Sequence, residues 1–96
     1  MAKSNFSKEY KALRELLRQE RIERGMTQTE LSSALGMPQS FVSKYEMGER
    51  RLDFVEVDRI CAELGIPLAS FVGLYQEATS QTAGRKSVGS KKGGRK

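Results

Sequence analysis

The sequence predicts an all-α domain of five short helices followed by a disordered basic C-terminal tail, and three observations carry that expectation. Apolar residues recur at helical spacing through residues 7–78, and no segment alternates with period two for long enough to make a strand. Gly25, Gly36, Gly48 and Gly65 punctuate the pattern, each placed to close a helix with a left-handed residue. The final segment, residues 79–96, changes composition: it carries Arg85, Lys86, Lys91, Lys92, Arg95 and Lys96, no acid and four of the nine glycines. With Ala83 and Val88 as its only aliphatic side chains, it cannot offset its own ordering entropy.

The elements follow in order. A first helix is expected over about Ser7–Arg24, with Leu13, Leu16 and Leu17 on one face. The second opens with Thr27-Gln-Thr-Glu30, a capping box in which Thr27 and Glu30 satisfy each other's amides; Leu31 and Leu35 are its apolar pair. The third is expected to open near Pro38 and to turn Val42 and Tyr45 inward. The fourth opens with a second capping box, Asp53-Phe-Val-Glu56, and carries Val57, Ile60, Cys61 and Leu64 on one stripe. The fifth starts around Pro67, and Leu68, Phe71, Val72 and Tyr75 repeat the stripe. The folded domain is expected to span residues 5–78.

Composition removes several classes of function. Ninety-six residues suffice for one small domain. Without His and with a lone Cys61, neither a zinc site nor His-based catalysis has its ligands, so no metal, cofactor or enzyme activity is expected. No apolar run approaches the ~20 residues of a membrane span, and residues 1–20 lack the apolar core of a secretion signal. A single cysteine suits a reducing compartment, so a cytoplasmic location is expected. The formal charge of +5 is unevenly spread: residues 1–78 hold eleven of the seventeen basic residues and all twelve acidic ones, leaving a balance of −1. The surplus sits in the tail, where it is either a nucleic-acid contact or a solubilising end.

The informative stretch is QTELSSALGMPQSFVSKYEM, residues 28–47. Two helices joined at a steep angle by a short turn need apolar contacts at set positions, and Leu31, Leu35, Met37, Val42 and Tyr45 occupy them. Ser32 is small where the two backbones approach, and Gly36 stands where the turn needs positive φ. This is the pattern of a helix-turn-helix. The run from Leu17 to Leu68, with its motifs GMTQTELS, QSFVSKYE and GERRLD, resembles the DNA-binding domain of the phage repressor/Cro type, the Xre family. The resemblance implies a compact five-helix repressor-type domain in which helices two and three read DNA. Ser32 departs from it mildly, since the family more often has Ala there.

A reading helix lies in the major groove with its N-terminal residues at base edges. With Val42 and Tyr45 inward, the outward residues are Gln39, Ser40, Ser43 and Lys44. Gln39 suits adenine, Lys44 suits guanine O6 and N7, and the serines suit several bases. The resemblance implies base contacts by Gln39, Ser40 and Lys44. Phe41 either covers a thymine methyl or packs beside Tyr45 one turn on. Gln28 opens the second helix, where free amides favour a phosphate, and the resemblance gives the matching glutamine that role. Thr27 is a cap with a phosphate contact as second role, and Arg50 and Arg51 stand where a loop can clamp the DNA backbone. The resemblance also implies a partly buried structural ion pair between Arg21 and Glu46.

The leading expectation is a sequence-specific transcriptional regulator that binds double-stranded DNA as a homodimer on a (pseudo)palindromic operator. One reading helix buries little surface, whereas two-fold pairing doubles the contacts. Its dimer surface is expected on the fourth and fifth helices, with Leu74 as one contact. The alternative is a protein-interaction module, such as an antitoxin or an anti-activator, which the balance of −1 in the folded part favours.

Overall fold

The apolar stripes converge on one core. The computed structural model describes residues 7–83, which form α1 (Ser7–Glu23), α2 (Gln28–Ala34), α3 (Phe41–Glu46), α4 (Phe54–Leu64) and α5 (Leu68–Ala83). No strand occurs among the described residues, and none of their helices is long and apolar enough to cross a membrane.

Local chemistry sets the starts of α2 and α4. The Glu30 amide donates to Thr27 Oγ1 at 3.0 Å, and the Thr27 amide donates back to Glu30 Oε1 at 2.9 Å. Asp53 and Glu56 repeat the exchange at 2.8 and 3.0 Å, so both expected capping boxes form. Gly48 ends α3 with φ of +85°, and a Cβ there would meet the Arg14 guanidinium at 3.2 Å. Backbone conformation and close approach both demand glycine at this point.

Leu17, Leu31, Val42, Tyr45 and Ile60 are fully buried, joined by Leu35, Phe41, Val57, Cys61, Leu64, Ile66 and Phe71. Each large side chain removed from water contributes ~1.5–3 kcal/mol before ordering costs. Helix α1 packs along α5 and touches α3 and α4, while α2 pairs with α3. The Tyr45 hydroxyl has no partner within the described residues. Burial, reinforced by the neighbouring Glu46 charge, pushes its pKa far up, so it stays protonated.

Three expectations need correction. Helix α3 starts at Phe41 rather than near Pro38, because the Phe41 amide closes a tight turn onto the Pro38 carbonyl at 2.9 Å. Gln39 and Ser40 therefore sit in that turn, just ahead of the helix. Val72, assigned to the inner stripe of α5, is 37% exposed, whereas Phe41 is buried. The tail does not begin at residue 79: α5 runs on to Ala83, and Thr79 Oγ1 donates to the Tyr75 carbonyl at 2.9 Å. Extending an existing helix adds one backbone hydrogen bond per residue without a new nucleation cost. Residues 84–96 lie outside the described residues, as do residues 5 and 6 of the expected domain.

Two polar contacts inside the core hold α2 and α3 in place. Arg21 Nε and Nη2 donate to Glu46 Oε2 and Oε1 at 2.8 and 3.1 Å, and Arg21 Nη1 donates to the Met26 carbonyl at 2.7 Å. The two side chains are 10% and 3% exposed. Ser32, fully buried, accepts the Val42 amide on its Oγ at 3.1 Å. That bond caps α3 from the facing helix, since Ser40 at the N-cap makes no side-chain cap bond of its own.

Both contacts make measurable demands on stability. Arg21→Ala or Glu46→Ala should each destabilise the domain by about 3 kcal/mol, because removing one partner leaves the other charge buried without its counter-ion. Denaturant midpoints of the variants against wild type check this, and an unchanged midpoint would refute it. Ser32→Ala should cost about 1 kcal/mol by stranding the Val42 amide, and its midpoint should fall accordingly.

Candidate nucleic-acid interface

Helices α2 and α3 turn Leu31, Leu35, Val42 and Tyr45 toward each other and the core, which leaves one polar row outside. Gln39, Ser40 and Lys44 are exposed and Ser43 is half-buried. Little within the protein engages them. Gln39 Nε2 lies 3.5 Å from Thr29 Oγ1, at the limit of a hydrogen bond, and Ser43 Oγ donates to the Ser40 carbonyl at 3.1 Å. Lys44 has no partner among the described residues. The four side chains thus form one surface with donors and acceptors still available.

Gln28 adjoins this row through the buried ion pair. Its Nε2 donates to Glu46 Oε1 at 2.8 Å, which holds the side chain at the entrance to α2 and leaves its second amide hydrogen uncommitted. Thr27 is exposed, and its hydroxyl oxygen accepts the Glu30 amide while its proton remains available. The four residues Arg21, Gln28, Glu46 and Met26 therefore link α1, the start of α2 and the end of α3 in one hydrogen-bonded group.

Phe41 and Arg50 are placed differently from expectation. Phe41 is 5% exposed and packs edge-on against Tyr45, with centroids 5.5 Å apart, so the thymine-methyl contact is withdrawn in favour of core packing. Arg50, expected to clamp the DNA backbone, grips Glu56 with two donors: Nη1 to Oε1 at 3.0 Å and Nη2 to Oε2 at 2.8 Å. Its guanidinium also stands 4.8 Å from the Phe41 ring centroid. The Glu56 carboxylate therefore competes with a phosphate for the same donors. Arg51 is exposed, with its guanidinium 4.6 Å from the Tyr10 ring centroid.

Several supporting residues escaped the sequence reading. Arg14 Nη1 donates to the Glu46 carbonyl at 2.9 Å and so caps the end of α3. Arg59 caps α2 through the Leu35 carbonyl at 3.2 Å, and Arg24 caps α4 through the Leu64 carbonyl at 2.6 Å. Tyr10 donates its hydroxyl proton to the Arg50 carbonyl at 3.0 Å, which ties α1 to the loop after α3. One signal was available: Arg14 lies two turns before Arg21, on the same helix face. The carbonyls that these side chains reach are set by helix packing, which spacing along the chain does not reveal.

Comparison with known proteins agrees with this geometry. The family model described as helix-turn-helix matches residues 17–71. An XRE-family like protein from Pseudomonas syringae pv. tomato str. DC3000 is similar at 40% identity and a TM-score of 0.74, over 81% of this chain and 95% of that one. The fold also matches the wild-type restriction-modification controller protein C.Esp1396I, at 20% identity and a TM-score of 0.68, over 73% and 92% of the two chains. The clp gene regulator ClgR from Corynebacterium glutamicum gives a TM-score of 0.68 at 24% identity, over 78% and 80%. No curated protein matches the chain at a significant level. The polar row on α3, the buried pair behind it and these matches lead to one conclusion: the chain belongs to the helix-turn-helix family of the XRE, or phage repressor/Cro, type, a family of DNA-binding regulators.

Proposed function

We propose that this protein is a sequence-specific transcriptional regulator that binds a (pseudo)palindromic DNA operator as a homodimer. The observation that carries the reading is the row Gln39, Ser40, Ser43 and Lys44, exposed or half-buried beside Gln28 and held by a buried ion pair. In this reading the row makes the base contacts, and Thr27, Gln28 and Arg51 contact the backbone. Dimerisation is supported by apolar side chains on α4 and α5: Phe54 and Val55 are 67% and 64% exposed, and Val72 and Leu74 are 37% and 36%. Phe54 and Val72 border an open groove of about 510 Å³ between α1, α4 and α5. The same apolar surface and the balance of −1 favour a second reading, a protein-interaction module such as an antitoxin or an anti-activator.

Selection from random duplex DNA separates the two readings, because an interaction module enriches no sequence. On the selected site, Gln39→Ala and Lys44→Ala should each cost ~1–3 kcal/mol and relax preference at one base position. Arg51→Ala should instead weaken binding about equally on cognate and scrambled duplexes. If Arg51→Ala altered the selected sequence while Gln39→Ala did not, the docking would be misassigned.

The basic tail makes a separate prediction. Deleting residues 84–96 removes Arg85, Lys86, Lys91, Lys92, Arg95 and Lys96. The preferred site should stay the same while the salt dependence flattens, by ~0.9 in the log–log slope for each phosphate that the tail neutralises. Affinity titrations of both chains at several salt concentrations check this; equal slopes would make the tail a bystander.

A further inference from the structure

The segment between α3 and α4 is short, yet its first arginine is among the most heavily engaged side chains of the molecule. The Arg50 guanidinium donates to the Arg51 carbonyl at 2.7 Å as well as to both Glu56 oxygens. The Arg50 backbone carbonyl accepts the Tyr10 hydroxyl. Glu56 is itself anchored, since its Oε1 also accepts the Asp53 amide that opens α4. The free face of the guanidinium lies over Phe41, the first residue of α3, and Phe41 directly follows Gln39 and Ser40.

From this geometry we infer that Arg50 is a positioning residue for base recognition: the Arg50–Glu56 fork stacked on Phe41 sets where the start of the reading helix, and hence Gln39 and Ser40, meets the bases. The inference rests on the DNA-reading function proposed above. The physical argument is one of geometry and charge. The intrinsically planar guanidinium, held in place over the Phe41 ring by a two-pronged carboxylate, is a rigidly placed cation, which an ammonium on a flexible stem is not. The same carboxylate offsets its charge, so Arg50 adds little to phosphate attraction. The hydrogen bonds from Arg50 hold the Glu56 carboxyl below the usual carboxylate range, so the pair stays ionised at neutral pH.

The test compares Arg50→Lys, Arg50→Ala and Glu56→Gln, with binding measured on cognate and scrambled duplexes across salt concentrations. Glu56→Gln keeps an acceptor for the α4 cap and removes the charge that fixes the fork. A positioning role predicts that all three variants lose about fivefold to tenfold of cognate over scrambled preference, the low end of what one misplaced bidentate base contact costs. Scrambled-duplex affinity and the salt slope should hold. A loss of folded protein alone would lower both affinities together and leave their ratio unmoved, which would overturn the inference. A phosphate clamp would give the opposite pattern: Arg50→Lys near wild type, Arg50→Ala with a slope flattened by ~0.9, and Glu56→Gln binding both duplexes more tightly. If wild type prefers no duplex, the functional reading itself fails, and the positioning is then decided in the free protein. The Gln39 and Ser40 amide resonances should shift in Arg50→Lys, and unmoved resonances would refute the coupling.

Discussion

The buried pair of Arg21 and Glu46 is the constraint on which the reading surface depends. Glu46 is the last residue of α3, Arg21 lies in the last turn of α1, and Gln28 is the first residue of α2. One carboxylate accepts from both Arg21 and Gln28, so the end of the reading helix, the entrance to its partner helix and the scaffold helix share one charge centre. Removing two ions from water costs several kcal/mol each, which good geometry only repays. The value of such a pair lies in uniqueness of arrangement more than in net stability. Alternative packings of α3 would leave an ion or an amide unpaired in a place water does not reach.

Around that centre, arginine serves as a structural side chain. Arg14, Arg24 and Arg59 each reach a carbonyl at the end of another helix, on α3, α4 and α2 respectively. Helix ends expose carbonyls with no intrahelical partner and carry a partial negative charge, and a guanidinium answers both at once. The planar fork, with several donors in fixed geometry, explains why arginine fills these sites. Basic residues that a charge count would assign to phosphate are thus already committed to the fold. Lys44 and Arg51 remain accessible on and close to α3.

The exposed row is therefore uncharged for the most part, built from amide and hydroxyl groups in the turn before α3 and on its outer face. Such groups discriminate bases through donor and acceptor pattern, and that pattern has force only if the helix is placed to within a fraction of an ångström. Ser32, Phe41, Arg50 and Glu56 address that placement from the start of α3, while Arg14, Arg21 and Gly48 address it from the end. The contacts that stabilise the domain are thus many of the same ones that fix the position of α3.

What the sequence determined by itself were the features whose partners lie within about one helical turn. Both capping boxes join residues three apart, and the left-handed glycines act through their own backbone. The apolar stripes of α2 and α4 were legible because helix periodicity alone turns such residues to one side. The outward position of Ser43 and Lys44 on α3 was legible for the same reason, as the complement of its buried face, whereas Gln39 and Ser40 sit in the turn before it. Only the tertiary structure decided the roles of Ser32, Arg50 and Tyr10. Ser32 and Val42 stand 10 residues apart, and Tyr10 and Arg50 stand 40 apart. Phe41 had two available partners, and its burial against Tyr45 closed the choice in favour of the core. A side chain's local spacing states which way it points; what it meets there depends on how the helices cross, and that is settled by the packing of all five together.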